Sequence, residues 1–224
     1  MATTRGQRIG IWVIAATMMI GTIGGFIAMM VQPGNDARDR AEIESLQKEY
    51  QAAQDEHTKK IKEQTTKLNE ASYPTVAAQQ QRVAPFAADE VKELKTEDLV
   101  VGSGAEVTKT SDILVYYIGW NPKGEVFDGS LDGNKLKGAF PVANVAKASV
   151  IAGWQEGLVG MKIGGVRELT IPADKAYGEQ GSGDKIPANT PLKFVVYAAA
   201  EAPKQPEMPK KLKEHYKRLY GIDF

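Results

Sequence analysis

The chain has 224 residues, 42% of them hydrophobic, with 28 basic and 28 acidic side chains and no cysteine. A net charge of zero argues against an electrostatic grip on nucleic acid, and the lack of Cys excludes disulfides, thiol nucleophiles and cysteine metal sites. The two histidines, His57 and His215, have no ligand-spaced partners, so no metal site is expected, and the length suits one ordinary domain with appendages.

Residues 1–8 carry Arg5 and Arg8, and an uncharged apolar run follows from Ile9 to Val31. At ~1.5 Å per residue this run spans a ~30 Å hydrocarbon core, which predicts a transmembrane helix over 9–31. The competing reading is a cleaved signal peptide, but the run exceeds the usual ~7–15 residue apolar region and no small-x-small site follows it. The leading arginines face a flank of alternating sign, Asp36, Arg38, Asp39 and Arg40. The expected placement is therefore a single pass of the cytoplasmic membrane, N-terminus inside and the bulk on the extracytoplasmic side.

Residues 36–72 are rich in Glu, Lys, Gln and Ala without Pro or Gly, which predicts a charged helix. Ile43, Leu46, Tyr50 and Ala53 keep coiled-coil spacing, but His57 and Lys60 take the next positions, so a coiled coil would last about two heptads. The segment reads as a solvated spacer, ended by Tyr73-Pro74, and residues 73–87 as a linker.

Between 88 and 201 short β-rich runs alternate with Gly, Asp, Asn and Pro turns, and most of the 22 glycines lie between Gly102 and Gly183. Strands are predicted at 94–101, 105–108, 113–120, 125–128, 140–142, 165–171 and 192–199. Asn121-Pro122-Lys123-Gly124 carries Pro at the first central position of a turn and makes a hairpin of its neighbours. Helical signal is confined to the stretch after Gly153, in V-I-A-G-W-Q-E-G-L, where Trp154 and Leu158 share one face. A helix that short needs a sheet to lie on, with the indole as the floor of a cavity. The fold class is α+β: a curved antiparallel sheet with one short helix packed across it, preceded by the transmembrane helix and the helical stalk.

Residues 202–224 open with Pro203, Pro206 and Pro209 and continue as a basic helix in which Leu212, Tyr216, Leu219 and Tyr220 share a face. A membrane-surface helix is one reading. The other is docking on the sheet's second face, which Leu114, Tyr116, Ile118 and Trp120 make apolar enough to need a cover.

Residues 90–200 resemble the FKBP-type peptidyl-prolyl isomerases, here in a membrane-anchored bacterial form. The matching pieces are V-Y-Y-I-G-W, G-E-V-F-D-G-S, V-I-A-G-W-Q-E-G-L-V-G-M-K-I-G-G, L-T-I-P, A-Y-G and I-P-A-N-T-P-L-K-F-V-V, in order. The resemblance implies an isomerase domain over 88–201 that acts on X-Pro-containing polypeptides, with macrolide inhibitors as a second ligand class and no cofactor. It implies Asp128, Tyr177 and Tyr117 as catalytic residues and Phe127, Val150, Ile151, Trp154, Ile186 and Phe194 as substrate-binding. Tyr177 would donate its hydroxyl to a substrate carbonyl and the Ile151 N–H would hold a second, while Asp128, bonded to Tyr117, would face the amide. An X-Pro bond needs no nucleophile, only surroundings that favour the twisted amide over the planar one. Without the resemblance, Trp154, Phe194 and Tyr117 read equally as core aromatics. Gly133 stands where members of the family carry an Arg bracing the Asp, Ser182 where some carry His, and an aromatic usual near residues 136–139 is absent there. The implied function is folding of exported or membrane-proximal proteins, the alternative a membrane-tethered proline-peptide binding module or chaperone without significant turnover.

Overall fold

The structure is a computed structural model and describes residues 37–221. The predicted span at 9–31 lies outside the described residues, and among the described residues no helix is long and apolar enough to cross a membrane. The described chain falls into two compact units, residues 37–48 with 210–221 and residues 49–209.

The larger unit is built on an antiparallel sheet. Its strands are β1 (Lys95–Val100), β2 (Ile113–Trp120), β3 (Val126–Gly129), β6 (Phe140–Val142), β7 (Val166–Ile171) and β8 (Leu192–Glu201), in the order β1-β7-β8-β2-β3 with β6 also on β2. Two short strands, β4 (Leu131–Asp132) and β5 (Lys135–Leu136), form a separate hairpin. The predicted strand at 105–108 is not one: Glu106 makes an isolated bridge to Lys162, while Val107 is tied to Met161 and Gly160 as a buried loop. That segment is too short, and too close to the Thr108–Ser111 turn, to build a ladder.

The short helix α2 (Ala152–Gly157) crosses one face of the sheet. Its approach is set by two glycines one turn apart. A Cβ on Gly153 would stand 2.4 Å from Ile171 Cγ2, and one on Gly157 2.8 Å from Leu169 Cδ2, so only bare backbone lets the helix lie directly on β7. Trp154 and Leu158 then enter the main core with Val115, Val196 and Leu192. Buried Arg167 of β7 secures the helix end: its Nη1 donates to the Gly157 and Val159 carbonyls, and Nε and Nη2 grip Asp98 of β1 at 2.6 and 2.9 Å. The Gly157 carbonyl is one of the orphans that a helix C-terminus leaves to be satisfied.

The second face departs from expectation. Helix α1 (Ala37–Ala78) does not stop at Tyr73-Pro74 but runs through Pro74 for another turn. Its later turns lie on the sheet, Val76 being buried beside Tyr116 and Leu136, with Leu68 and Tyr73 alongside. Residues 79–87 continue the cover, Val83 and Phe86 packing on Ile118, Trp120 and Val195. The apolar face expected to be closed by 202–224 is thus closed by residues before the domain. Polar groups fix the register: Tyr116 Oη donates to Asn69 Oδ1 at 2.7 Å, Trp120 Nε1 to the Ala84 carbonyl at 3.1 Å, and Arg82 to buried Glu168 at 2.9 Å, whose other oxygen takes Lys193 at 2.8 Å. Burial pushes the Tyr116 hydroxyl up to about 12. The segment read as a stand-off spacer and linker is, from Leu68 onward, part of the folded body.

In the smaller unit, helix α3 (Lys210–Tyr220) pairs with the first turns of α1 through Lys211–Glu42 and a 3.3 Å bond from Gln47 to the Tyr216 hydroxyl. Leu212 and Tyr216 of the predicted face are buried, whereas Leu219 and Tyr220 are half exposed.

Candidate active site

Gly119 decides how the aromatic residues assemble. It lies in β2, paired with Phe194 of β8 on one side and Asp128 of β3 on the other. A side chain there would stand 2.6 Å from Phe194 Cε1 and 2.8 Å from Phe127 Cζ. The bare strand therefore lets two rings from neighbouring strands meet over it, edge to face at 5.5 Å. Tyr117, two residues earlier on the same face, meets Trp154 at 5.1 Å and 87°. Phe194 meets Trp154 at 5.3 Å and 83°. These perpendicular contacts are the favoured geometry for aromatic pairs and hold the indole rigidly beneath the others.

Trp154 is 4% exposed, and its Nε1 has no hydrogen-bond partner among the described residues. An unpaired buried donor costs free energy, and such exceptions concentrate at functional sites. Phe140, at the start of β6, is the residue that the sequence reading missed: it meets Trp154 at 6.2 Å and Tyr117 at 6.0 Å, both edge-on. The aromatic sought between 136 and 139 is thus supplied one position later. The β4–β5 hairpin ending at Leu136 and Gly138 at φ +152° delay the next inward position to Phe140.

Polar groups ring this floor. Tyr117 Oη donates to Asp128 Oδ2 at 2.6 Å, and the Gly129 N–H donates to Oδ1 at 2.8 Å. Burial first, then Asp128, pushes the Tyr117 hydroxyl far above the ordinary phenol range, so it stays a donor. Ile151 sits at the N-cap of α2, where its carbonyl accepts from Trp154 and Gln155, while its own N–H has no acceptor among the described residues. Val150 and Ile151 pack at the edge of the core. Tyr177 stands 40% exposed, and its hydroxyl has no hydrogen-bond partner among the described residues. Burial of the ring and the nearby Asp128 charge raise its hydroxyl as well. Ile186 is buried in the same core. Gly133 lies on the β4–β5 turn at φ +58° with open space around it, so no side chain from that position braces Asp128.

The predicted residues therefore converge: Tyr117, Phe127, Trp154 and Phe194 as touching rings or neighbours, Asp128 on Tyr117, and Val150, Ile151 and Ile186 in the surrounding core. Together they make an apolar aromatic cluster with one carboxylate hydrogen-bonded to it and two donors, the Ile151 N–H and the Tyr177 hydroxyl, that have no partner among the described residues. Nothing in it is a nucleophile poised on a base.

The FKBP-type peptidyl-prolyl cis-trans isomerase family profile matches residues 104–198. A probable FK506-binding protein of Corynebacterium glutamicum is 42% identical over 106 residues, which cover 47% of this chain and 84% of that protein. An FK506-binding protein of Neisseria meningitidis serogroup A is 44% identical over 101 residues, covering 45% and 88%. A crystallised peptidyl-prolyl cis-trans isomerase of Pseudomonas syringae pv. tomato is 28% identical, covering 60% of this chain and 96% of that one, with a TM-score of 0.43. With identity at this level over most of the length of both bacterial relatives, the chain belongs to the FKBP-type peptidyl-prolyl cis-trans isomerase family and is an isomerase of that type.

Proposed function

We propose that the cavity floored by Trp154 is where the X-Pro bond is turned, and that catalysis there is non-covalent. The observation that carries the reading is the pairing of a dry aromatic floor with donors that have no partner of their own, the Ile151 N–H and the Tyr177 hydroxyl. The barrier to rotation is ~18–20 kcal/mol because amide resonance is lost. Twisting reduces charge separation in the amide, so transfer from water to an apolar floor costs the planar form more than the twisted one. The prolyl ring would lie on Trp154, against Phe127 and Phe194. The two free donors would hold flanking carbonyls, and Asp128, fixed by Tyr117, would face the polarised amide. Each tenfold in rate requires ~1.4 kcal/mol, so a few preoriented groups suffice. Macrolides that mimic the twisted amide should occupy the same floor, bound more weakly than where an Arg braces the Asp, because Gly133 leaves that side open.

The clients in this reading are exported or membrane-proximal polypeptides, met by a domain tethered through residues 9–31 with its N-terminus inside. Its support is the uncharged run itself and the two arginines before it. Isomerisation of a short X-Pro peptide by the purified full chain, in a protease-coupled assay, tests the site. Acceleration that a macrolide suppresses is the expected result; binding without acceleration would make the domain a proline-peptide module instead. For the anchor, a reporter active only in the cytoplasm, fused after Phe224, should be silent, and strong activity would reverse the orientation.

A further inference from the structure

The β2–β3 turn holds a buried polar residue that neither the apolar floor nor its rim uses. Asn121 is 4% exposed, and its amide has every donor and acceptor engaged. Oδ1 accepts from the Lys123 and Glu125 N–H groups at 3.0 and 3.1 Å, while Nδ2 donates to Glu125 Oε2 and to the Lys185 carbonyl, both at 2.9 Å. The first two bonds are local and shape the turn, as Asn at its opening position does. The bond to Lys185 is different in kind. It reaches 64 residues along the chain into the loop that begins after Tyr177 and ends at Ile186.

Ile186 at its end is packed in the core, and the rest of the loop is tied mainly to itself. The Ser182 N–H donates to the Ile186 carbonyl at 2.7 Å, closing the loop on itself, and Asn189 N–H to the Gly178 carbonyl at 2.7 Å ties its base. Among the described residues a second hydrogen bond to the hairpin runs from the exposed Lys185 ammonium to the Val126 carbonyl, a long side chain in water that constrains little. Lys185 immediately precedes Ile186, and Val126 and Glu125 immediately precede Phe127 and Asp128. The Asn121 amide is therefore the buried strap that sets the spacing between two walls of the cavity.

We infer that Asn121 is a positioning residue for the isomerase reaction, holding the 178–186 loop, and with it Ile186 and Tyr177, at a fixed distance from Phe127 and Asp128. The inference rests on the site proposed above. A loop freed of its strap must be reordered each time a peptide binds, a cost paid equally in ground and transition states, and such losses appear in KM and not in kcat.

Asn121→Asp with Glu125→Gln is the discriminating variant. It keeps the Oδ1 acceptor of the turn and lets the new Gln amide donate to the new carboxylate, but it has no donor for Lys185. In the full chain, KM for an X-Pro peptide should rise about five- to tenfold with kcat within about twofold. The Ser182 amide should exchange with solvent at least about tenfold faster than in the wild type, and the melting temperature should fall by several degrees, because the variant sets a buried carboxylate oxygen against the Lys185 carbonyl. Glu125→Gln alone should match the wild type. A purely structural turn residue would leave KM and Ser182 exchange at wild-type values in the double variant, and that result overturns the inference. Tyr177→Phe in the same assay separates the two levels. Should it keep the wild-type rate while the double variant raises KM, the donor assignment fails and the strap stands; the reverse pattern removes the strap and leaves the site.

Discussion

Tyr117 and Asp128 lie on adjacent strands, β2 and β3, and are joined by a 2.6 Å hydrogen bond from the phenol to carboxylate Oδ2. The phenol belongs to the aromatic cluster around Trp154, so this bond couples the carboxylate to the packed core. With Oδ1 held by the Gly129 N–H, the carboxylate cannot turn away.

Asp128→Ala should therefore damage the reaction more than the fold. It removes the rim charge and frees a hydroxyl that solvent can partly reach. We expect kcat/KM to fall about tenfold or more, the scale of ~1–2 kcal/mol for a charged hydrogen-bonding group, with a melting temperature only slightly lower. Because Asp128 is one cause of the raised Tyr117 hydroxyl, with burial the larger, ultraviolet titration of the variant should show that phenol ionising at lower pH than in the wild type.

Tyr177→Phe keeps the ring and deletes a single donor that has no partner among the described residues. Stability should be unchanged, and kcat/KM should drop by about tenfold, again the scale of one hydrogen bond. Paired rates and thermal unfolding on the purified variant measure both; a wild-type rate would place the substrate carbonyl elsewhere.

Trp154→Ala should fail in both assays. The indole is wedged between Tyr117, Phe140 and Phe194, and removing a buried aromatic of this kind costs about 3–5 kcal/mol through lost contacts and the void left behind. Chemical denaturation should show that loss, and activity should fall beyond what unfolding accounts for.

The strands and the α2 contact were legible because they rest on local signals: alternation in 113–120, the turn at 121–124, and the Gly-Trp spacing that lets a helix lie flat. The residues that gather around Trp154 were legible through motif order. Phe140 was not, because the intervening β4–β5 hairpin changes which position next points inward, and no periodicity survives across a two-residue strand. The cover of the second face was also hidden. Residues 64–78 are polar enough to read as a solvated spacer, since Leu68, Tyr73 and Val76 are a sparse apolar stripe that gains meaning only opposite Tyr116 and Leu136. Pro74 looked like a stop, and its cost inside the helix, about 3 kcal/mol, is offset by the packing of Tyr73 and Val76 on the sheet. Asn121 announced itself as a turn residue, and nothing local marks its bond to Lys185.

The Asp98–Arg167 pair predicts an acid limb in stability. The Arg167 hydrogen bonds hold the Asp98 carboxyl below its usual value, against a smaller opposing effect of burial. A carboxyl whose folded pKa is lowered stabilises fully above the unfolded pKa, about 3.9, and loses that contribution as pH falls through the folded value. The melting temperature of Asp98→Asn should lie below wild type at pH 7, and the gap should close below about pH 4. Asp98 is 40% exposed, so the gap should be modest and should narrow in high salt. A gap independent of pH would mean the substitution acts through packing instead.

The last prediction concerns where the folded body begins. A fragment of residues 88–224 would keep every residue of the proposed site, and by motif alone it is the whole domain. It would lose Val76, Val83 and Phe86 from the second face, exposing Tyr116, Trp120 and Ile118. It would also strip Trp120 Nε1 of the Ala84 carbonyl, Tyr116 of Asn69 and buried Glu168 of Arg82. Burying one large apolar side chain is worth about 1.5–3 kcal/mol, so losing three of them, with those polar partners, approaches the entire stability of a small domain, about 5–15 kcal/mol. The fragment should be aggregation-prone and unfold at far lower denaturant than a chain beginning at Glu49, while any folded fraction turns over substrate normally. Arg82→Ala in the full chain isolates one part: about 1–3 kcal/mol for leaving Glu168 short of a partner, reduced because Lys193 remains and Arg82 is 37% exposed. Equal unfolding midpoints for the chains starting at 49 and at 88 would show that the helix and the 79–87 segment only rest on the sheet.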